Sequence, residues 1–524
     1  MAKESHGRIR RALVSVSSKE GLIPFVSGLR SLGVRIVSTG GTAKVLKENG
    51  IPVQEVSDFT GFPEILAGRV KTLHPRVHGS ILASRRDKSH LAQVRRLGLE
   101  LIDLVVVNLY PFEETAGRRS AKLEDLIEQI DIGGVALIRS AAKNFQSVGI
   151  VSRPAQYQEV LEELRRRGGC LSQKTRCRLA VEAFSETAYY DAVIQQALSH
   201  RLRGATTWPE RLVFAASRRQ VLRYGENPHQ EGSWYQWPSV SRGFNGLATA
   251  RQLHGRELSF NNLLDLDSAI RLVGSFKKPA AVVIKHANPC GAACAPTLKR
   301  AFLRAFAGDP MSAFGGIVGL NRRVDAVTAQ AVVSAGFLEC LVAPAYSPQA
   351  LKILKTRKNL RVIEKKNAAP SSQCLEIKQI DGGLLVQQPD EIKRPPSAWR
   401  LATRRKPTAG QRRDLAFAWI VSQHVRSNAI VIARDEQVVG IGAGQMSRVD
   451  SVRLALRKAG QRAQGSVLAS DGFFPKPDGP SYAVRAGIRA IVQPGGSIQD
   501  PAVIRVADRA GVPMLLTGER HFKH

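Results

Sequence analysis

The chain has 524 residues, 43% hydrophobic and 23% charged, and its 77 lysines and arginines against 44 acids give a net charge of +33. At roughly 100–200 residues per domain this length makes about three to five compact units with real cores, which excludes a disordered or fibrous chain. No run approaches the roughly 20 consecutive apolar residues of a membrane span, and six cysteines without a CxxC pair argue against a disulfide framework or structural zinc site.

The basic start of the chain is followed only by Ala12-Leu13-Val14 before Ser15, too short for a secretory signal, so a cytoplasmic protein is expected. The positive charge is open to three readings: nucleic-acid binding, attraction of small polyanions, or a solvated basic surface. Basic residues are spread, with short clusters at Arg165-Arg166-Arg167, Lys365-Lys366 and Arg404-Arg405-Lys406, and aromatics are only 6%. That is poor for base stacking, and neither a nucleic-acid nor a membrane partner is expected.

Residues 12–16 read as a strand, and Ser17-x-x-Glu20 as a capping box that opens a helix. Leu22, Phe25, Val26, Leu29 and Leu32 keep helical spacing, and Gly33 suits the stop. Residues 34–38 form a second strand, Thr39-Gly40-Gly41-Thr42 turns into a helix ending near Gly50, and 101–107 is a long β-branched strand. A helix over 123–130, a strand over 148–151 and a largely helical stretch from 158 to 200 complete a strand–helix alternation that predicts a wound parallel sheet. Residues 204–209 break the pattern, placing the boundary between domains 1–204 and 205–524. Beyond it, strands are predicted over 280–284, 316–319, 429–433, 438–441, 466–469 and 488–492, and helices over 297–306, 411–425 and 451–459. The stretches 365–373 and 389–407 read as linkers, splitting this part into two subdomains near 365–407.

Several motifs carry chemistry. The Thr39–Thr42 turn is either an ordinary strand–helix connection or a phosphate cradle, in which glycines admit the ligand and a helix N-terminus offers free N–H groups. Ser15, Ser17 and Lys19 end the preceding strand, beside the same crevice. Arg69-Val70-Lys71-Thr72-Leu73-His74-Pro75, Asn108-Leu109-Tyr110-Pro111, Asp131-Ile132-Gly133-Gly134 and Lys143-Asn144 add cations, hydroxyls and an acid. Together they describe a polar crevice for a phosphorylated substrate. In the second part Val282-Val283-Ile284 leads into Lys285-His286-Ala287-Asn288-Pro289-Cys290. A lysine at such a strand end is desolvated and tuned toward proton transfer, and the histidine is either a general base or a hydrogen-bonded strand-end residue.

Two decoys are set aside. His286-x-Asn288-Pro289-Cys290 is near the zinc-deaminase pattern, but asparagine replaces the glutamate and Cys290 and Cys294 have the wrong spacing, so no metal is predicted. Gly440-Ile441-Gly442-Ala443-Gly444-Gln445 lacks the G-x-G-x-x-G spacing, so no dinucleotide site follows.

Taken in order, these strings closely resemble the family of bifunctional AICAR formyltransferase/IMP cyclohydrolases of purine biosynthesis. The resemblance runs through Ser-Val-Ser-Ser-Lys (15–19), Ser-Thr-Gly-Gly-Thr-Ala (38–43), Gly-Arg-Val-Lys-Thr-Leu-His-Pro (68–75), Asn-Leu-Tyr-Pro-Phe (108–112) and Gln-Ile-Asp-Ile-Gly-Gly (129–134). It continues in Leu-Arg-Tyr-Gly-Glu-Asn-Pro-His-Gln (222–230), Lys-His-Ala-Asn-Pro (285–289), Ser-Ala-Phe-Gly-Gly (312–316) and Ser-Asn-Ala-Ile (427–430). Gly-Ala-Gly-Gln-Met-Ser-Arg (442–448), Ser-Asp-Gly-Phe-Phe-Pro (470–475) and Arg-His-Phe (520–522) close it.

The resemblance implies an α/β protein: an N-terminal wound parallel sheet like methylglyoxal synthase, then a pair of cytidine-deaminase-like α/β subdomains. It implies formyl transfer from 10-formyltetrahydrofolate to AICAR, giving FAICAR, and dehydrative closure of FAICAR to IMP. His286 would be the general base, Lys285 would stabilise the oxyanion or protonate the leaving folate nitrogen, and Asn428 would orient the formyl group. Arg223, Tyr224, Gly315, Glu339, Arg448, Asp478 and Arg520 would bind substrate, with Phe314 and Phe473 framing the heterocycles. For ring closure, Ser15, Ser17, Lys19, Thr39, Gly40, Gly41, Thr42, Arg69 and Thr72 would hold the nucleotide, and Lys71, Tyr110, Asp131 and Lys143 would polarise the amide and stabilise the oxyanion. A homodimer is implied, its transformylase site completed across the interface. Gly472 stands where the family usually has alanine, Lys476 where an aromatic is common and Ser18 where aspartate is common.

Overall fold

The computed structural model describes residues 7–118, 120–202, 208–240, 246–366 and 375–524. The predicted boundary at 204–205 and most of the predicted 365–373 linker lie outside the described residues. The chain forms two compact units, Met1–Ser217 with Trp237–Arg242, and Arg218–Gln236 with Gly243–His524.

The first unit is a five-stranded, wholly parallel sheet. Strands β1 (Arg11–Val16), β2 (Arg35–Ser38), β3 (Gln54–Glu55), β4 (Leu104–Asn108) and β5 (Gly149–Val151) lie in the order β3-β2-β1-β4-β5. Ala12, Leu13 and Val14 are fully buried because helices cover both faces of a parallel sheet. The strand order reverses between β1 and β4, so a ligand crevice opens beyond their carboxyl ends. The predicted capping box does not form: the helix Leu22–Ser31 starts after Gly21, at φ 63°, with no side-chain cap. The backbone N–H groups of Ser17 and Ser18 instead go to Asn108 Oδ1, 2.6 and 2.8 Å away, which holds this stretch as a loop. The predicted strand over 101–107 is shorter at its start, and the helical stretch is two helices, Tyr157–Arg166 and Gln173–Leu202.

In the second unit the hairpin of β6 (Ser217–Leu222) and β7 (Gly232–Gln236) precedes one twelve-stranded mixed sheet. That sheet is one α/β unit built twice. In the first copy β8 (Arg251–His254), β9 (Ala280–Lys285), β10 (Asn288–Cys294), β11 (Ile317–Leu320), β12 (Cys340–Ala343) and β13 (Arg361–Glu364) run β10-β9-β11-β12-β13-β8. A separate hairpin, β14 (Glu376–Ile380) and β15 (Gly383–Gln387), follows. In the second copy β16 (Arg400–Leu401), β17 (Ile430–Arg434), β18 (Gln437–Gly442), β19 (Val467–Ser470), β20 (Ala490–Gln493) and β21 (Met514–Leu516) run β18-β17-β19-β20-β21-β16. The copies join where β10 and β18 pair antiparallel at Ala293 and Gln437.

Residues correspond at one constant interval. Ser259 and Thr408 cap the helices Phe260–Gly274 and Ala409–Gln423, each with an amide at N3, Asn262 and Gln411. Asp265 matches Asp414, Lys285 matches Arg434, and Gly291 matches Gly440. At both glycines a Cβ would sit about 2 Å from a helix carbonyl, that of Ala305 (1.9 Å) or Ala455 (2.2 Å), so only glycine lets the helix approach. The Gly440–Gly442 decoy is therefore a strand packed under the helix Arg448–Ala459. Alternation puts Ala280, Val282 and Ile284 in a core shared by both copies on one face, and Ala281 and Val283 in the first copy's own core on the other.

Candidate active sites

In the first unit, Asn108 at the end of β4 ties the loop after β1 in place, as its Nδ2 also donates to Ser18 O at 3.2 Å. The Thr42 hydroxyl donates to Val16 O (3.0 Å) and accepts from Lys19 Nζ (3.1 Å), and Ser15 and Thr39 share a 2.9 Å hydroxyl contact. Burial lowers the Lys19 ammonium from its ordinary range. The predicted phosphate cradle is thus a knit group of hydroxyls and one lysine at the N-terminus of the helix Gly40–Glu48.

Lys71 stands beside that turn. A Cβ on Gly40 would meet its Nζ at 3.4 Å, and Glu64 pairs with it at 3.1 Å. Arg69 is paired instead with Glu128. The Gly133-Gly134 pair has a steric reason: a Cβ on Gly134 would lie 2.5 Å from the Asp131 carboxylate, and one on Gly133 would lie 2.8 Å from the Thr72 hydroxyl. Asp131 accepts from Gly134 N at 2.7 Å. Burial raises its carboxyl, opposed by the N–H groups of Gly134 and Tyr110 and by the charge of Lys71, which places all three around it. Tyr110 is 40% exposed, open to a ligand. Lys143 is exposed at the far end of the helix Gly133–Lys143, about 15 Å along the axis from Gly133, so the structure does not bring it to Asp131. Asn108, named in its motif at the strand end, takes a part that the sequence did not spell out, holding the loop after β1 through three hydrogen bonds.

In the second unit, strand directions gather the predicted residues. β9 runs antiparallel to β10 and β11, and β17 antiparallel to β18 and β19. The end of β9 therefore shares one sheet edge with the starts of β11, β12 and β17 and the ends of β18, β19 and β21. Lys285, His286, Phe314, Gly315, Glu339, Asn428, Arg448, Phe473 and Arg520 all lie along that edge.

Lys285 is half-buried rather than enclosed, and its Nζ donates to Gly315 O at 3.1 Å. Gly315 has φ 67°, and a Cβ there would meet Lys285 Nζ at 3.2 Å, so glycine is required for the approach. His286 is exposed in the turn between β9 and β10. Asn288 Oδ1 accepts from Arg426 N at 3.0 Å, which ties this turn to the chain entering β17. Arg448 is buried and pairs with Asp471, while its Nη2 donates to Asn428 Oδ1 at 2.7 Å. Asn428 Nδ2 donates to Gln445 O at 2.8 Å. Gly472 admits this packing, because a Cβ would fall 2.4 Å from Arg448 Nη2 and 2.5 Å from the Phe522 ring.

Glu339 accepts from Asn262 Nδ2 at 2.8 Å, so Asn262 is a further polar group of this edge. The Arg223-Tyr224 loop lies near the same helix start, through Asn261 Nδ2 donating to Glu226 O at 3.2 Å. Asp478 is exposed in the first turn of the helix Asp478–Arg485 and bonds its neighbour Gly479 N. Cys290 and Cys294 lie buried on β10, where burial pushes both thiols up to about 12. Among the described residues no group of three or more histidine, cysteine or acidic side chains is placed to hold a metal ion.

Residues 21–136 match the family model of the MGS-like domain, and residues 141–458 match that of the AICARFT/IMPCHase bienzyme. Proteins called "Bifunctional purine biosynthesis protein PurH" from Bacillus cereus (strain AH820) and Bacillus thuringiensis (strain Al Hakam) are 47% identical over 515 residues, 98% of this chain and 100% of theirs. A solved structure titled "Crystal structure of ForH" is 37% identical, covers 35% of this chain and 93% of its own, and has a TM-score of 0.32. Fold and crevices together define a two-unit α/β enzyme whose first unit carries an MGS-like domain. The chain belongs to the AICARFT/IMPCHase bienzyme family, and it is a bifunctional enzyme with AICAR formyltransferase and IMP cyclohydrolase activities, the last two steps of IMP synthesis.

Proposed function

We propose that the two reactions are divided between the units, with domains 1–204 closing the ring and 205–524, in two subdomains split near 365–407, transferring the formyl group. The cosubstrate of transfer is 10-formyltetrahydrofolate, the finer form of the folate that a formyltransferase of this family uses. His286 takes the proton of the AICAR 5-amino group as that amine attacks the formyl carbon. Lys285 stabilises the oxyanion and supplies a proton to the departing folate nitrogen, and Asn428 orients the formyl group. Arg223, Tyr224, Glu339, Arg520 and Asp478 bind substrate, and Phe314 and Phe473 frame the rings. What supports this most is that Lys285, Gly315, Glu339 and Asn428 share one sheet edge although far apart in sequence.

In ring closure, Ser15, Ser17, Lys19 and Thr39–Thr42 hold the phosphate and ribose of FAICAR, with Arg69 and Thr72 beside them. Lys71, Tyr110 and Asp131 act on the carboxamide and the new formyl oxygen, which leaves as water. The mutual placement of Asp131, Tyr110 N–H and Lys71 supports that assignment. A cytoplasmic homodimer is the setting proposed. No helix among the described residues is long and apolar enough to cross a membrane, and Phe314 (64%) and Met446 (100%) are exposed on the transfer edge, as a surface covered by substrate or a second copy would be.

A coupled assay following IMP from AICAR and 10-formyltetrahydrofolate, with FAICAR as a second entry point, tests the reading. Lys71→Ala is expected to spare transfer and impair closure, and His286→Ala the reverse. Untouched transfer in His286→Ala would remove it as the base.

A further inference from the structure

His286 and Ala287 form the two-residue turn joining Lys285 to Asn288, and both have positive φ, 51° and 57°. A hairpin turn of this kind belongs to glycine, asparagine and aspartate, because a Cβ is crowded in left-handed backbone. Histidine and alanine adopt it only where neighbours hold them there. The neighbour is Asp265, in the second turn of the helix Phe260–Gly274, whose Oδ1 accepts from Ala287 N at 2.6 Å. Burial raises the Asp265 carboxyl, opposed first by the Ala287 N–H and then by the charge of His286.

The second copy repeats the device. Asp435 and Glu436 sit in the turn between β17 and β18 with φ 52° and 55°. Their N–H groups go to Asp414 Oδ2 and Oδ1, both at 2.8 Å. Asp414 occupies the place of Asp265 in the duplicated unit. Its turn lies at the opposite sheet edge, where Glu436 pairs with Lys278 and none of the proposed transfer residues occurs.

We propose that Asp265 is a positioning residue for formyl transfer, clamping the His286-Ala287 turn in left-handed backbone so that the imidazole stands at the reacting edge, with Asp414 as its structural counterpart. This rests on the proposed role of His286. The duplication supplies an internal control, since the same clamp can be removed from a turn with chemistry and from one without.

The test measures steady-state formyl transfer and thermal midpoints of the full chain for Asp265→Ala, Asp265→Asn, Asp414→Ala, Ala287→Gly and the double variant Asp265→Ala/Ala287→Gly. Asp265→Ala is expected to lower kcat roughly 10²-fold, the scale of about 1 Å of misplacement, with KM for AICAR within about threefold. Glycine takes the left-handed turn unaided, so the double variant should regain at least about tenfold of the lost kcat. Asp414→Ala should lower the thermal midpoint by a similar amount and leave kcat within about twofold. Should Asp265→Ala not fold, Asp265→Asn, which keeps an acceptor oxygen, is expected to fold and to retain partial kcat. Equal kcat in Asp265→Ala and Asp414→Ala, no regain with glycine, or full kcat in Asp265→Asn at raised KM overturns the positioning role. His286→Ala separates the two ideas: loss of transfer there with wild-type kcat in Asp265→Ala sinks only the clamp, whereas intact transfer in His286→Ala sinks the base.

Discussion

Arg448 fixes the Asn428 side chain: one guanidinium nitrogen is locked on Asp471 and the other donates 2.7 Å to Asn428 Oδ1. The fork predicted to bind substrate thus has a partner within the protein at each terminal nitrogen, Asp471 and Asn428. Asn428 Nδ2 is committed as well, to Gln445 O at 2.8 Å. A free asparagine rotates; this one cannot.

Asp471→Asn is expected to be costly. The Arg448 and Asp471 side chains are 6% and 0% exposed, and removing one charge of a buried pair costs about 3–5 kcal/mol. Thermal unfolding should show a lower midpoint, and formyl transfer should drop while FAICAR closure persists. Wild-type transfer by a variant of wild-type stability would contradict the proposed link to Asn428.

Gly472→Ala tests the close approach that this glycine admits. The new methyl would meet Arg448 Nη2 and the Phe522 ring, and overpacking of this kind costs about 1–3 kcal/mol. The ring is the softer neighbour, being 38% exposed, so it should swing outward. A lower thermal midpoint than wild type is expected, and an unchanged midpoint would show that the ring yields at no cost.

Asn108→Ala removes an acceptor that holds two backbone N–H groups, those of Ser17 and Ser18. Unsatisfied groups of this kind cost about 1–3 kcal/mol, less where water reaches them. The loop carrying Ser17 and Lys19 should loosen, with KM for FAICAR rising roughly tenfold, the equivalent of about 1.4 kcal/mol. Formyl transfer is the control and should not move.

His424 predicts a pH dependence of stability. Burial, with the charges of Lys523, Arg271 and His521, lowers its pKa to about 3, although part of the residue's surface stays accessible. The unfolded chain binds that proton near its ordinary value of about 6.5. Between those two values the unfolded state holds more protons, so stability is full above about pH 6.5 and declines as pH falls toward 3. Denaturant midpoints measured from pH 7 to 4 should show this slope, and His424→Gln should flatten it.

Much of this architecture was legible. The predicted strands over 12–16 and 280–284 match β1 and β9 within a residue, because both are fully buried apolar runs whose ends carry polar residues. β10 was hidden by its composition: Asn-Pro-Cys-Gly-Ala-Ala-Cys lacks β-branched residues, and its glycine serves the helix packed above it. The resemblance implies a pair of like subdomains, but the residues alone do not spell the duplication, because the copies share capping and turn-clamping positions rather than strings of identical residues. Of the site residues, Lys71, Tyr110 and Asp131 come together as their motifs suggested. Lys143 does not, since the helix between Gly133 and Lys143 carries it about 15 Å along the axis. The engagement of Arg448 with Asp471 could not be read from sequence at all, as a fork facing solvent and a fork facing a buried carboxylate are spelled alike.

Joining two copies of one fold through a continuous sheet has a consequence for asymmetry. Two separate identical subunits related by a twofold axis must present the same residues at both equivalent edges. Once both halves lie on one chain, that constraint ends. Lys285-His286 and Arg434-Asp435 occupy matching turns yet share no chemistry, so one edge can become a meeting place for two unlike molecules while the other keeps only its scaffold.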